Sequence, residues 1–256
     1  MDDQRTRTTA APAPPRRLQR FFVPTPLAAG QTVTLDHLAQ QLANVLRMKP
    51  GDELILLDGS GQEFRARLTA LERRTAGAQV LDSHPCTAEP PLHLTLYQCS
   101  LKQDKFEWVL QKGAELGVSR FVPVIAERSI VRPAAALLKK YDRWGAILRE
   151  AAEQCGRARI PELSPPLDWA AAIAGRNGTG LLAWEGAAGA PSLAHWLRGQ
   201  GAIDRLSLLI GPEGGVTDRE AQAAVAGGWQ LAGLGPRILR AETAAVAAAA
   251  IIMAST

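Results

Sequence analysis

Three strand ends near the carboxyl terminus of this chain combine glycines with a carboxylate. The stretch Gly211–Gly215 (GPEGG) follows the apolar run LSLLI and contains Glu213. The run GLLAW precedes Glu185, and WQLAG leads into Leu234–Ala244 (LGPRILRAETA), which contains Glu242. Because glycine has no Cβ, backbone amides and carbonyls there can approach a ligand closely. Ligands of open α/β sheets bind at the carboxyl ends of strands. The three turns therefore predict one joint pocket, although an ordinary strand-to-helix turn also uses such glycines.

The predicted pocket does not match the common phosphate-binding loops. There is no G-x-x-x-x-G-K-[ST], and GSGQEF has Phe64 where the dinucleotide fingerprint places its last glycine. The carboxylate of Glu213 would also repel a pyrophosphate. A neutral or cationic ligand suits these turns better, and the adenosine, methionine and sulfonium of S-adenosylmethionine match their backbone and apolar groups.

The elements that position these turns begin with a strand-rich region. From Arg20, the apolar runs RFFV, QTVTL, ELILLD, EFRARLTAL and AQVLD alternate with turn residues, and DGSG at 58–61 predicts a hairpin. In EFRARLTAL the alternation places Arg65 and Arg67 outward, on a solvated face or on a phosphate-contacting one. One helix is predicted in this region, with an apolar face formed by Leu38, Leu42, Val45 and Leu46.

From Leu92 onward, strands alternate with helical segments. The runs LHLTLYQ, FVPVIA, GLLAW, LSLLI and WQLAGL indicate strands, and this rhythm predicts a parallel sheet covered on both faces. The first helix is predicted to end at Gly117, and Thr217 with Glu220 forms the pattern of a capping box. The fold class is therefore α/β, with a disordered tail at 1–19, a small β-barrel-like domain at 20–86 and an α/β domain at 87–256.

Composition narrows the class of protein. A hydrophobic content of 46% and a charged content of 21% are typical of globular proteins, and no apolar run or signal-like segment indicates a membrane association. Cys86, Cys99 and Cys155 lack a recognisable pairing pattern, which favours a reducing compartment, the cytoplasm. The histidines lack metal-ligand spacing, so no metal is expected. Five arginines and two aspartates in residues 1–20 account for most of the net charge of +4. A basic surface must therefore come from patterning.

Several motifs carry a family resemblance that extends over nearly everything from Arg20 onward. IGPEGG, followed at this spacing by LGPRILRAETA, resembles the knotted methyltransferases of the SPOUT superfamily. Within that superfamily, the chain is similar to the bacterial 16S ribosomal RNA (uracil-N3)-methyltransferases. The other family-like stretches are VLRMKPGD (Val45–Asp52), QKGAELGV (Gln111–Val118), ERSIV (Glu127–Val131) and EQCGRARIPE (Glu153–Glu162).

The resemblance implies a fold, a cofactor and a substrate. It implies a PUA-like RNA-binding domain at 20–86 and an α/β domain whose carboxyl-terminal chain forms a trefoil knot. It also implies S-adenosylmethionine as cofactor, 16S ribosomal RNA within the small ribosomal subunit as substrate, and a homodimer with each active site near the subunit interface. Gln41 departs from the family pattern, which has a histidine there, and the stretch around Glu185 is a loose match.

The resemblance also implies site residues. The expected cofactor-binding residues are Leu182, Ala183, Glu185, Ile210, Gly211, Glu213, Gly215, Leu234, Gly235, Ile238, Leu239 and Arg240. Arg240 is expected to stabilise charge on the uracil carbonyls or to bind a phosphate. Glu213 or Glu242 is expected to accept the N3 proton, although either could instead cap a helix or pair with Arg240.

The expected RNA contacts are basic residues, several of which lie within the family-like stretches. They are Arg20, Arg47, Lys102, Lys105, Lys112, Arg128, Arg132, Arg157 and Arg159. For Lys102, Lys105 and Lys112, a solvated helix face is the alternative. Two other functions compete: a related methyltransferase that acts on a ribose or another base, and a non-catalytic RNA-binding protein with a decayed pocket.

Overall fold

The computed structural model describes residues 18–102, 104–186 and 189–255, and most of the predicted tail lies outside these ranges. The first described region is a five-stranded sheet in the order β1-β3-β4-β5-β2. Its strands are β1 (Arg20–Phe22), β2 (Thr32–Thr34), β3 (Glu53–Leu57), β4 (Gln62–Leu71) and β5 (Ala76–Pro85). Strands β3 and β4 pair antiparallel around residues 58–61, which confirms the predicted hairpin.

Strand β4 shows the predicted alternation of buried and exposed residues. Phe64, Ala66 and Leu68 are buried in the core of this sheet. On the outer face, Arg65 forms an ion pair with Asp82, and Arg67 lies 2.8 Å from a carboxylate oxygen of Glu53. Because both arginines have cross-strand carboxylate partners, the outer face is a self-compensated solvated surface.

The predicted helix around Leu42 differs from the expectation. A 3-10 turn at Asp36–Leu38 is followed by a π-helical turn at Gln41–Val45. The amide of Leu46 donates to the carbonyl of Gln41, five residues back, and this wider turn shifts the helical phase. Leu38 and Leu42 are buried as predicted, but Val45 is 73% exposed, so its assignment to the apolar face was wrong.

The second region is a seven-stranded parallel sheet in the order β12-β10-β11-β6-β7-β8, with β9 also pairing with β7. Its strands are β6 (His93–Cys99), β7 (Arg120–Ile125), β8 (Glu162–Leu163), β9 (Leu167–Asp168), β10 (Thr179–Ala183), β11 (Arg205–Ile210) and β12 (Trp229–Ala232). The helices are α1 (Lys105–Glu115), α2 (Ala134–Leu138), α3 (Tyr141–Cys155), α4 (Trp169–Ala174), α5 (Leu193–Arg198), α6 (Asp218–Ala226) and α7 (Ala241–Met253). This arrangement confirms the α/β fold class.

Both faces of the parallel sheet are covered, as the sequence predicts. On one face, α1, α3, α5 and α7 contribute to a cluster in which the rings of Phe106 and Trp144 stack at 4.4 Å between centroids. On the other, α4 and α6 pack over Tyr97 and Trp229. Among the described residues, no helix is long and apolar enough to cross a bilayer.

Local signals in the sequence fix where two of the helices begin and end. The φ of Gly117 is +99°, and its amide donates to the carbonyl of Ala114 just beyond α1. At the start of α6, the side chain of Thr217 accepts from the amide of Glu220, whose carboxylate accepts from the amide of Thr217. These contacts confirm the predicted helix end and the capping box.

The two regions meet through α3 and the segment before β6. The amide of Phe22 donates to Glu153 Oε1 at 2.8 Å, and Phe22, Ile55 and Leu57 pack against Ala152 and Ala158. The change from one sheet to the other falls between β5 and β6, around the predicted boundary at 86/87. That boundary and the trefoil knot stay predictions.

Candidate active site

A cleft opens at the carboxyl ends of β10, β11 and β12, where the three glycine-bearing turns converge. It has two adjoining lobes. The β12 lobe, about 290 Å³, lies under the turn after β12, and the GPEGG lobe, about 320 Å³, lies between that turn and the turn after β11. Both volumes are near the lower end of the range for small-molecule sites. The lobes share Ala183, Glu185, Ile238, Leu239 and Ala244 as lining residues.

Eleven of the twelve predicted cofactor-binding residues line this cleft. Leu182 does not: it is fully buried on the opposite face of β10, against Tyr97 and Trp229. The strand alternation explains the difference, because neighbouring side chains on a strand point to opposite faces. Leu182 is therefore not among the lining residues of the cleft, and its part in cofactor binding stays a prediction.

The glycines of the cleft have conformational and steric reasons to be glycine. Gly215 has φ +75°, and an added Cβ would lie 2.8 Å from Glu185 Oε1. Gly235 has φ +104°, and the space where its Cβ would lie contains no atom within 4 Å. These positions leave backbone exposed to the cleft, and the side chains of Ile210, Ile238 and Leu239 add apolar lining to it.

Lys105 joins the two predicted catalytic glutamates. Its Nζ lies 3.2 Å from Glu213 Oε1 and 3.5 Å from Glu242 Oε1. Glu213 Oε1 also accepts a hydrogen bond from the backbone amide of Lys102, at 3.2 Å. The Oε2 atoms of both glutamates are enclosed and have no hydrogen-bond partner in the described part of the chain. We name Lys105, Glu213 and Glu242 the charged triad.

The triad decides between the expected roles of the glutamates. The described ion pairs include none between Arg240 and either glutamate, so the alternative of pairing with Arg240 is wrong and Lys105 takes that place. Glu213 does not cap α6, because Thr217 is the N-cap there. Glu242 lies in the first turn of α7, where the helix dipole favours a carboxylate. Arg240, the N-cap of α7, is exposed and lines the GPEGG lobe.

Arg157 contradicts its predicted role in RNA binding. It is 3% exposed, and its guanidinium donates to the carbonyl of Val118 at 2.7 Å and to Glu89 Oε2 at 3.0 Å. A buried guanidinium with a carboxylate partner cannot reach a phosphate. The family-like stretch EQCGRARIPE therefore contains a structural arginine at 157 and an exposed one at Arg159, which donates to the carbonyl of Ser60 at 2.9 Å.

The other expected RNA contacts divide into paired and free cations. Arg20 lies 3.4 Å from Glu63, Lys112 lies 2.8 Å from Glu115, and Lys105 belongs to the triad. The positions that are exposed and have no carboxylate partner among the described ion pairs are Arg47, Lys102, Arg128, Arg132 and Arg159. Two of these lie beside the GPEGG turn: Lys102 through its amide, and Arg128, whose Nη1 donates to the carbonyl of Gly214 at 3.2 Å.

Some residues that line the cleft were not predicted from the sequence. They are Trp184, Ala190, Ser192, Pro212, Gly233, Pro236, Arg237 and Ala244. Most lie next to predicted positions and could have been included by proximity. Ser192 had no such signal, because a backbone bridge to Gly233 brings the start of α5 to the cleft. Among the described residues, no group of three or more His, Cys, Asp or Glu could hold a metal ion.

Comparison with known proteins identifies the family. Residues 88–253 match the model of an RNA methyltransferase domain, and residues 42–81 match that of an RNA methyltransferase PUA domain. A Synechocystis protein named ribosomal RNA small subunit methyltransferase E is 37% identical over 83% of this chain and 69% of its own length. The chain belongs to the ribosomal RNA small subunit methyltransferase E family.

Two solved structures are similar to this chain over most of its length. A ribosomal RNA small subunit methyltransferase E from Neisseria gonorrhoeae, bound to S-adenosyl methionine, is 38% identical with a TM-score of 0.83. A methyltransferase from Legionella pneumophila, in complex with the same cofactor, is 32% identical with a TM-score of 0.83. Each match covers 93% of this chain and 98% of the other. The protein is thus an RNA methyltransferase with a PUA-like amino-terminal domain, which confirms the resemblance.

Proposed function

We propose that the protein transfers the methyl group of S-adenosylmethionine to N3 of a specific uridine in 16S ribosomal RNA, within the small ribosomal subunit. The observation that carries this proposal is the convergence of three glycine-bearing turns into one cleft beside the charged triad. Relatives that share the fold are named for small-subunit ribosomal RNA methylation, and two solved ones bind S-adenosylmethionine.

The residues of the cleft fit this cofactor. The β12 lobe is lined by exposed backbone at Gly233–Gly235, and the GPEGG lobe by Ile210, Leu239 and the carboxylate of Glu213. Backbone amides and carbonyls suit the adenosine and the methionine, apolar walls suit the adenine ring, and a carboxylate tolerates a sulfonium or an ammonium. When bound, the cofactor supplies an electrophilic methyl group.

Positioning supplies most of the expected catalysis. Holding two reactants in line contributes about 7–11 kcal/mol, whereas a general base contributes about 10²–10⁴-fold, or roughly 3–5.5 kcal/mol. Damage to the turns should therefore lower the rate more than loss of any one acid–base residue. Arg240 lies exposed in the GPEGG lobe, where its guanidinium can stabilise negative charge on the uracil carbonyls.

RNA binding is proposed for the PUA-like domain and for the exposed cations beside the cleft. Uracil N3 is hidden in base pairs, so the target nucleotide must be unpaired or splayed out. Lys102 and Arg128 flank the GPEGG turn, and Arg159 lies beside residues 58–61 between the two sheets. These positions can hold the phosphates around a base that enters the cleft. Three free thiols, Cys86, Cys99 and Cys155, support a cytoplasmic location.

A homodimer is proposed from the surface of α7. Beyond its first turn the helix is apolar all round, yet Val246, Ala247, Ala250 and Ile251 are only half-buried. A helix of that composition is normally covered on every side. Ile238, 86% exposed at the cleft, adds to this apolar surface. Light scattering should give a dimer mass, and Val246→Lys should give a monomer. A monomeric wild type would contradict the proposal.

The function is tested by incubating the protein with labelled cofactor and undermethylated small-subunit ribosomal RNA or particles. Mass spectrometry of the product nucleosides should find N3-methyluridine at one site. Ribose methylation as the only product would refute the N3 assignment. If calorimetry detects no cofactor binding at all, the non-catalytic alternative is correct.

The cleft itself is tested by comparing two glycines that have a positive φ and open space at their Cβ positions. Gly235→Val should weaken cofactor binding about 5–150-fold, because strain of about 1–3 kcal/mol falls on a cleft-lining turn. Gly30→Val, with φ +81° and outside the cleft, is the matched control and should leave cofactor affinity unchanged. Equal effects of the two variants on affinity would contradict the placement of the cofactor.

A further inference from the structure

Lys105 occupies an unfavourable place for a cation. It is the first residue of α1, where the helix dipole is positive and a lysine is disfavoured. Lys112, in the last turn of the same helix, lies where the dipole favours it and pairs with Glu115 on the surface. The position of Lys105 is therefore explained by its two carboxylate partners and not by helix stability.

The triad has more negative than positive charge. One ammonium serves two carboxylates, and these are mostly buried, with side-chain exposures of 19% for Glu213 and 14% for Glu242. Each has one oxygen bound by Lys105 and one enclosed oxygen without a partner. An enclosed carboxylate oxygen without a donor is costly, so the triad is suited to accept a proton or an N–H group from a ligand.

The two glutamates are not equivalent. Glu213 and Lys105 line the GPEGG lobe together with Ile210 and Gly211, whereas Glu242 is not among its lining residues. Glu213 is therefore the carboxylate that a methyl acceptor in this lobe can reach. Glu242 lies on α7 and shares the lysine.

We propose that Lys105 is a positioning residue for methyl transfer, which holds Glu213 in the wall of the cleft as the acceptor of the uracil N3 proton. This inference rests on the proposed function. The N3–H bond breaks, its proton goes to Glu213, and its electron pair forms the new bond from N3 to the methyl carbon. The bond from sulfur to that carbon breaks and leaves its electron pair on sulfur. Glu213 then releases the proton to water.

Other charged groups face the triad and contribute to its pH dependence. Arg240 lines the same lobe from the start of α7, and Glu185 lines it from the end of β10. Arg128, after β7, reaches the carbonyl of Gly214, and Lys102 contributes its backbone amide to Glu213. Because every variant keeps these groups, a difference in its pH–rate profile from that of the wild type reports the substituted residue.

The test compares Lys105→Met with Lys139→Met, which removes an exposed cation outside the cleft. Lys105→Met should keep its cofactor affinity within about threefold of the wild type and lower kcat about 10–100-fold. The upper value equals the smallest effect expected from loss of a general base. The acidic limb of its pH–rate profile should move to higher pH, because the variant lacks the cation that lies 3.2 Å from Glu213 and 3.5 Å from Glu242. Lys105→Arg should restore part of kcat, and Lys139→Met should match the wild type.

Three results would overturn the inference. The first is a Lys105→Met enzyme whose pH–rate profile keeps the wild-type shape. The second is a loss of cofactor affinity as large as the loss of kcat, which would make Lys105 a binding residue. If Lys105→Met does not fold, the variants Glu213→Gln and Glu242→Gln are compared instead. The third result that would overturn the inference is an equal loss of kcat in these two variants. A larger loss in Glu213→Gln supports the inference. A wild type that binds the cofactor but forms no N3-methyluridine refutes the proposed function instead.

Discussion

Replacing Arg157 by alanine separates a structural role from a role in RNA binding. The side chains of Arg157 and Glu89 are 4% and 13% exposed, and they form an ion pair at 3.0 Å. The other carboxylate oxygen of Glu89, Oε1, accepts hydrogen bonds from the backbone amides of Ala158 and Arg159 at 3.0 and 2.9 Å. This network ties the segment before β6 to the end of α3, while the guanidinium also reaches the carbonyl of Val118 beyond α1.

The magnitude follows from what Arg157→Ala leaves behind. Removing one partner of a buried ion pair costs about 3–5 kcal/mol, because the other charge stays buried and unpaired. For a chain of this size, each kcal/mol lowers Tm by about 2–4 °C, so the expected decrease is about 6–20 °C. The double variant Arg157→Met with Glu89→Gln should recover part of it, since no uncompensated charge remains.

The assay is a thermal melt combined with RNA binding at several salt concentrations. Arg159→Ala, two residues away, is the matched control and should lower stability little. It should weaken RNA binding, and the slope of log affinity against log salt concentration should become shallower by about 0.7–0.9. Folded Arg157→Ala protein should bind RNA with the wild-type salt dependence. An unchanged Tm together with weakened RNA binding would refute the structural assignment.

Two further predictions concern burial and packing. Burial raises the pKa of Glu153, so the folded state binds its proton more tightly, and stability falls as pH rises through the raised pKa. Glu153→Gln keeps an acceptor for the amide of Phe22 and should raise Tm at pH 7.5 more than at pH 4; a lower Tm at pH 7.5 would contradict this. Gly113→Ala should cost about 1–3 kcal/mol, since its Cβ would lie 2.6 Å from the ring of Phe121. Gly145→Ala in α3, with open space, should instead stabilise by roughly 0.5–1 kcal/mol in chemical denaturation.

Features set by neighbours in the chain could be predicted from the sequence. The alternation of β4, the capping box of α6 and the glycine-bearing turns after β10, β11 and β12 all depend on residues within a few positions of one another. The exception is Val45, because the choice between an α-helical and a π-helical turn is not encoded in apolar spacing.

The pairing of charged side chains was decided by the tertiary structure alone. Arg157 and Lys105 are of the same residue types as the exposed cations and have similar neighbours in the sequence. Both were therefore predicted to bind RNA. Their partners are 68 and 108 residues away along the chain, Glu89 and Glu213. A cation is buried or exposed according to which distant carboxylate the packed sheet brings beside it. By itself, the sequence determined which turns form the cleft; folding determined which charges face into it.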